Sequence, residues 1–425
     1  MYLEKIIVRK SNPLKGEVKI DGAKNSALPV IAASLLGTED IILEDVPKLK
    51  DVTIILKVLE SLGAKIEYID ETTVKINSSN ITEYKTPFDL MNKMRASFLV
   101  MGPLLARVGK TETHTPGGCA IGSRPVDLHL KGFKALGAVI DERLEIIGAN
   151  APNGLIGDTV YMDFPSVGAT QNIIMAASLA KGETVIENPA KEPEIIDLAN
   201  FINKMGGDVK GAGTSAIRIR GVEKLHGCVH QIIPDRIEAS TFMVAAAMTE
   251  GDVVVQNVIP SHISPVIAKL REVGCEIDIN EDEDSLRIRG PKKLLSTRIK
   301  TLPYPGFPTD VQAQFMALMT ICDGQSKVEE TVFENRFMHV QELQKMGALI
   351  VTEGKEARIA GVPKLTGAEV RATDLRAGAA LVTAGLVAEG ETRVSDIFHI
   401  DRGYHDFVGK LKNLGADIER KEVDE

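Results

Sequence analysis

The sequence predicts an α/β fold: two inside-out, barrel-like domains, each of three strand-helix-strand-helix-strand-strand repeats. Three observations lead there. The same stretch of chain recurs six times, at intervals of roughly 70 residues. Each copy ends its second helix in a glycine-centred turn: Leu62-Gly63-Ala64, Leu136-Gly137-Ala138, Met205-Gly206-Gly207, Val273-Gly274-Cys275, Met346-Gly347-Ala348 and Leu414-Gly415-Ala416. The first helix of each copy is apolar almost all round, whereas the second is amphipathic. A helix apolar on every side is buried on every side. Helices therefore lie inside and sheets outside, the reverse of a barrel ringed by helices.

The first copy shows the unit. Gly16 to Ile20 alternates apolar and polar residues as a strand does. Asp21-Gly22-Ala23-Lys24-Asn25 reads as a turn, with Asn25 able to cap a helix. Ala27 to Leu36 is an apolar helix stopped by Gly37. Glu39 to Glu44 is a strand, Pro47 opens a loop, and Val52 to Leu62 is amphipathic, with Ile55, Leu56, Leu59 and Leu62 on one face. Ala64 to Tyr68 and Thr73 to Ile76 form a closing pair of strands. The equivalent buried helices are Ala96-Leu105, Ile173-Leu179, Phe242-Met248, Phe315-Met319 and Ala379-Val387. Six units split most simply as three plus three, with a crossover near Val229 to Ile233. The first strand, residues 1 to about 20, is expected to close the far domain.

Composition narrows the function. A chain of 425 residues exceeds one ordinary core. Its 44% hydrophobic and 26% charged residues are those of a water-soluble globular protein, and the absence of Trp points to an aliphatic interior. A net charge of −9 disfavours a nucleic-acid backbone as partner. Glu4 and Lys5 interrupt any secretory h-region, and no apolar run reaches the roughly 18–20 residues of a membrane span. Cys119, Cys228, Cys275 and Cys322 show neither CxxC nor metal spacing, so free thiols, no metal site and a reducing cytoplasm are expected.

Two positions of each repeat should carry the chemistry. One is the start of the buried helix, where unpaired N–H groups and the helix dipole favour anions. There the copies read Lys24-Asn25, Arg95, Gly168-Ala169-Thr170, Asp235-Arg236, Asp310 and Asp374 with Arg376. The other is the loop before the second helix, which carries Lys48 and Lys50, Cys119 with Arg124, Lys191-Glu192, His262, Glu334 with Arg336, and His399 with Arg402. Any one of these could be an ordinary surface ion pair. As a set at repeated positions in an acidic protein, they point to a small polyanion, because the planar fork of arginine donates two parallel hydrogen bonds to carboxylate or phosphate.

The loop Thr115 to Pro125 stands out, because Gly117, Gly118 and Gly122 allow close approach of backbone to a ligand. Cys119 in this loop, near Arg124, reads as a functional thiol and the loop as a lid. The other three cysteines read as small buried hydrophobes. Asp310 reads either as a helix N-cap or as a base for a substrate hydroxyl.

At these residues the chain resembles the UDP-N-acetylglucosamine 1-carboxyvinyltransferases, enolpyruvyl transferases of peptidoglycan precursor synthesis. The motifs run end to end: Asp21 to Pro29, Val46 to Asp51, Met94 to Ser97, Pro116 to Leu128, Ser166 to Thr170, Pro234 to Glu238, Phe307 to Asp310, Thr331 to Phe337, Ala372 to Ala377 and His399 to Tyr404. The resemblance implies the enolpyruvyl transferase fold. It implies one domain over 22-230, a second over 1-21 and 231-425, and an active site in the cleft between them. The implied reaction moves the enolpyruvyl group of phosphoenolpyruvate to the 3′-hydroxyl of UDP-N-acetylglucosamine and releases phosphate.

The implied roles follow motif by motif. Cys119 protonates the methylene carbon of phosphoenolpyruvate and can carry a covalent adduct, and Asp310 takes the sugar hydroxyl proton. Lys24, Arg124 and Arg402 hold phosphate, while Arg336 and Arg376 hold carboxylate. Asn25, Arg95, Arg124, Pro125, Val126, Asp127, Leu128, Ser166, Val167, Gly168, Asp310 and Val332 line the nucleotide-sugar site, with Asn25 near both substrates. No metal, organic cofactor or obligate protein partner is implied. One departure is Phe164-Pro165, where some family members carry a basic residue. The rivals are 5-enolpyruvylshikimate-3-phosphate synthase, in which Cys119 would have no role, and a catalytically silent nucleotide-sugar-binding regulator. The RNA cyclases of the same fold are disfavoured by the acidic balance.

Overall fold

The computed structural model describes residues 3–91, 95–115 and 126–423. These divide into two compact units, one running to Asp21 and resuming at Pro234, the other covering 22–233. The chain passes between units after Asp21 and again after Ile233. The second crossing follows the strand Val229–Gln231, whose successors Ile232 and Ile233 still bond to Glu44 and Ala23.

Each unit is organised by the apolar helices. In the unit covering 22–233 these are Lys24–Ala33, Met101–Val108 and Val167–Ala177. In the other they are Arg236–Met248, Gln312–Met319 and Leu375–Gly385. Every residue of Gln312–Met319 is buried, as is every residue of Lys24–Ala33 except Asn25. Helix starts lie earlier than apolar runs alone suggest, because polar residues such as Gln171, Asn172, Gln312 and Gln314 are themselves buried within them. Arg95–Val100 is a 3-10 segment leading into Met101–Val108, where one continuous helix was expected.

The sheets share one plan. Thr159–Tyr161 lies parallel to Glu183–Glu187, which is antiparallel to Ala216–Arg220, itself antiparallel to Asp208–Lys210. The parallel pair brackets a central helix, as a crossover connection requires. Asp40–Glu44 and Glu183–Glu187 alternate buried and exposed residues, one face on the core and one in water. Four copies depart from the plan. The strand expected to open the first copy, Lys15–Lys19, pairs instead with Asp252–Gln256 of the fourth, and Val229–Gln231 takes its place beside Asp40–Glu44. Because the crossing follows each of these strands directly, each stays in the unit it leaves. Among the described residues the second copy has three strands, with a Lys85–Glu112 bridge where a fourth would be. Leu3–Arg9 supplies the sixth copy's missing strand, between Glu391–Ser395 and Ile418–Val423.

The glycine turns that define the repeat have one geometry. Gly63, Gly137, Gly206, Gly274, Gly347 and Gly415 all have φ between 87° and 107°. The residue after each donates its N–H to a carbonyl five residues back, as in Ala64 to Leu59 at 3.0 Å and Ala416 to Leu411 at 3.0 Å. This closes the helix end with a left-handed residue that only glycine adopts at little cost.

Each unit has its own aliphatic core, anchored by Phe133 and Phe201 in one and by Phe242 and Phe315 in the other. Cys275 and Cys322 are buried in the second core, and burial pushes both thiols up to about 12. Among the described residues no helix is long and apolar enough to cross a membrane. Asn172, fully buried, joins two central helices. Its Oδ1 accepts from the Gly102 N–H at 2.8 Å, and its Nδ2 donates to the Phe98 carbonyl at 3.1 Å.

This contact requires a glycine at 102, since a Cβ there would stand 2.4 Å from the Asn172 carbonyl oxygen. Gly102→Ala is expected to destabilise the protein by about 1–3 kcal/mol through overpacking. Thermal and urea unfolding will read this as a lowered midpoint.

Candidate active site

A dense charged cluster lies in the unit that resumes at Pro234. Asp310 sits in the 3-10 turn Thr309–Val311, just before the helix Gln312–Met319. It does not cap that helix; Val311 occupies the cap position. Its carboxylate is instead gripped by two arginines: Arg336 Nη2 donates to Oδ1 at 2.9 Å and Arg376 Nη2 to Oδ2 at 3.3 Å. Both arginine side chains are only 3% exposed, whereas the Asp310 side chain is 28% exposed. The acid thus forms the accessible edge of a buried cationic pair.

Local structure explains the placement. Arg376 is in the first turn of Leu375–Gly385, where Asp374 caps the helix by accepting from the N–H groups of Arg376 at 2.8 Å and Ala377 at 3.0 Å. Burial opposes the charge of Arg376, but Tyr404, Asp310 and Asp235 outweigh it and raise its pKa. Tyr404 lies beside the guanidinium, with its ring centre 5.4 Å from Cζ, without forming a well-aligned hydrogen bond to it. The Tyr404 hydroxyl instead meets Thr241 at 2.9 Å and Gln314 at 3.3 Å. Nε and Nη1 of Arg376 are buried without a hydrogen-bond partner among the described residues. Arg402 ends the 3-10 segment Ile397–Arg402, and a Cβ on the next residue, Gly403, would lie 3.7 Å from Arg376 Nη1. Gly403 and Tyr404 therefore flank the Arg376 guanidinium.

Arg336 approaches from the loop after Gln325–Glu329, which also carries Val332. Behind it, His339 is 1% exposed; burial, aided by Arg336, pushes its pKa down to about 4 and keeps the ring neutral. His399 is also shifted down, first by burial and then by Arg402.

The unit covering 22–233 presents a second group. Lys24 opens the helix Lys24–Ala33 and is buried, with Nζ 3.1 Å from Asp51 Oδ2. Asp51 lies in the first turn of Lys50–Ser61, a placement the helix dipole favours. Asn25 does not cap; it is inside the helix, with Ala23 at the cap position. The next residue, Ser26, donates to Asp197, whose other oxygen meets His230 Nε2 at 3.0 Å. Ser166 caps Val167–Ala177, accepting from the Ala169 N–H at 3.4 Å. A Cβ at Gly168 would stand 3.2 Å from the ring of His129, so the Ser166–Gly168 turn and the helix Asp127–Ala135, with Asp127 and Leu128 in its first turn and Val126 before it, come together. Arg95 opens its 3-10 segment. Cys119, Arg124 and Pro125 lie outside the described residues.

Two residues escaped sequence reasoning. Glu330 and Asp197 are carboxylates 1% and 4% exposed that accept hydrogen bonds beneath the functional positions. No pattern marks them, because a buried acid and a solvated one look alike in sequence.

Residues 8–411 match the family model for EPSP synthase (3-phosphoshikimate 1-carboxyvinyltransferase). The chain is 72% identical over 423 residues to a UDP-N-acetylglucosamine 1-carboxyvinyltransferase of Finegoldia magna, covering 100% of both chains. It is 59% identical to UDP-N-acetylglucosamine 1-carboxyvinyltransferase 1 of Caldanaerobacter subterraneus, covering 98% of this chain and 99% of that one. Among solved structures, the enolpyruvyl transferase NikO from Streptomyces tendae superposes with a TM-score of 0.89 at 24% identity, covering 100% of each chain. EPSP synthase from Acinetobacter baumannii gives 0.78 at 20%, covering 99% of this chain and 100% of that one. At such identities these two likenesses speak to the fold, which is that of the enolpyruvyl transferases.

The buried neutral His339 gives a pH test. Its pKa is lowered from 6.5 to about 4 in the folded protein, so the unfolded chain binds more protons between those values. Its contribution is complete above pH 6.5 and is lost as pH falls toward 4. Unfolding free energies of wild type and His339→Gln, compared across this window, should show the wild type losing more stability on acidification.

Proposed function

The chain belongs to the family of UDP-N-acetylglucosamine 1-carboxyvinyltransferases, and on that premise we infer that it moves the enolpyruvyl group of phosphoenolpyruvate to the 3′-hydroxyl of UDP-N-acetylglucosamine, releasing phosphate in peptidoglycan precursor synthesis. The observation that carries this reading is the 72% identity, over the whole length of both chains, to the Finegoldia magna protein of that name. The buried cations agree with it in chemical terms. Phosphoenolpyruvate brings a carboxylate and a phosphate, and each needs fixed positive charge in a site that excludes water.

The chemistry divides into addition and elimination. In addition, the Cys119 thiol gives its proton to the methylene carbon of phosphoenolpyruvate. The sugar oxygen bonds to the adjacent carbon and loses its proton to Asp310. In elimination, the bond from that carbon to the phosphate oxygen breaks, the new methyl group returns a proton to the Cys119 thiolate, and the enol ether remains. Arg336 and Arg376 receive the carboxylate. Arg376 has two buried donors, Nε and Nη1, that Asp310 does not use. Lys24, Arg124 and Arg402 receive the phosphate.

Asn25, Arg95, Pro125 to Leu128, Ser166 to Gly168 and Val332 hold the nucleotide sugar. Side-chain cations supply the charge stabilisation, so the reading calls for no metal or organic cofactor, and it places the enzyme in the cytoplasm.

Phosphate release with both substrates tests the activity; binding of the nucleotide sugar without turnover would favour the silent-regulator reading instead. Cys119→Ala should lose most phosphate release while still binding UDP-N-acetylglucosamine, and undiminished turnover would remove the thiol from the mechanism. The epoxide fosfomycin should inactivate the wild type through Cys119, which a shikimate-type synthase would not show. Arg376→Met should lower kcat/KM for phosphoenolpyruvate about 10- to 100-fold, the scale of hydrogen bonds to a charged group worth about 1.5–3 kcal/mol.

A further inference from the structure

Glu330 follows the strand Gln325–Glu329 directly and is 1% exposed. A buried carboxylate is costly unless its lone pairs are filled, and here they are. Oε1 accepts from the Thr301 hydroxyl at 2.8 Å, the Val332 N–H at 2.9 Å and the Phe333 N–H at 3.2 Å. Oε2 accepts from the Thr309 hydroxyl at 2.9 Å. Thr301 in turn accepts from the Thr331 N–H at 2.9 Å. One carboxylate therefore ties together two segments distant in sequence. The first is the turn Thr309–Val311, which carries Asp310. The second is the loop of Val332 and Phe333, which delivers Arg336 to Asp310 at 2.9 Å.

We propose that Glu330 is a positioning residue of this enzyme: it sets the spacing between the Asp310 turn and the Arg336 loop, and so the register in which the arginines meet the carboxylate of phosphoenolpyruvate. The proposal rests on the enolpyruvyl transfer reading given above. Glu330 touches no reacting atom. It acts through Thr309 on one side and the Val332–Phe333 backbone on the other. The geometry also says which replacement should succeed. A glutamine can keep its oxygen on the two N–H groups and donate its amide to the Thr309 hydroxyl, which can accept. A leucine of similar bulk leaves both N–H groups and both hydroxyls without this partner.

The test compares steady-state kinetics of wild type, Glu330→Gln, Glu330→Leu, Thr309→Val and the double variant Glu330→Leu/Thr309→Val. Loss of folded protein alone lowers apparent kcat and leaves KM unchanged. Displacement of the loop should instead raise KM for phosphoenolpyruvate in Glu330→Leu, on the order of tenfold or more, and lower kcat with it. Glu330→Gln should recover most of both. Thr309→Val, which leaves the loop bonds in place, should raise KM to a smaller extent, and the double variant should be no worse than Glu330→Leu, since both break one network. Unchanged KM for phosphoenolpyruvate in both Glu330→Leu and Thr309→Val overturns the proposal. If Glu330→Leu does not fold, Thr309→Val decides alone. A wild type that releases no phosphate from the two substrates would sink the underlying activity, a result distinct from either.

Discussion

Burying a guanidinium is the constraint around which the unit resuming at Pro234 is organised. An ion taken out of water costs several kcal/mol unless charge and hydrogen bonds replace its hydration. Here two such ions, Arg336 and Arg376, are almost wholly enclosed and share the carboxylate of Asp310. Arg376 stands besides at the start of a helix, where the dipole disfavours a cation. Asp374 answers by capping the same turn, and Tyr404 covers the guanidinium face. The result is positive charge held ready where a second anion is welcome, because two donors of Arg376 have no hydrogen-bond partner among the described residues. Pre-arranged charge of this kind stabilises an anionic ligand without reorganisation at the moment of reaction.

The other unit treats Lys24 the same way. It too begins a buried helix against the dipole, and it too is held by an acid, Asp51, that sits favourably at the start of a neighbouring helix. Ser26, two residues on, is anchored through Asp197 to His230, which fixes the helix start carrying Lys24 and Asn25. Repetition explains the parallel. Six copies of one plan repeat the buried helix, and the chain has placed Lys24, Asp310 and Arg376 at or just before the starts of three of these helices. Supporting acids differ from copy to copy because each must fit its own surroundings.

Much of this was legible in the chain. The six glycine turns were visible as Leu-Gly-Ala and its variants, and all six adopt one left-handed geometry because a helix end of this type admits little else. The all-apolar helices announced their own burial. What misled was local capping logic. Asn25 and Asp310 are good cap residues, yet neither caps; Ala23 and Val311 hold those positions, and Asp310 is spent on two arginines brought from 26 and 66 residues away. Glu330 went unnoticed because its value lies entirely in partners that sequence spacing does not disclose.

By itself the sequence determined the repeat, the class of fold, the buried helices and the residue types able to hold a small polyanion, because hydrophobic period and glycine conformation are local properties of a chain. Tertiary structure alone decided which edge each strand takes, so that Lys15–Lys19 and Val229–Gln231 exchange places between the first and fourth sheets and Leu3–Arg9 completes the sixth. It alone decided which acid meets which cation. Strand edges of one repeat are chemically equivalent, and a carboxylate attracts any guanidinium; only the packed arrangement of distant segments distinguishes among them.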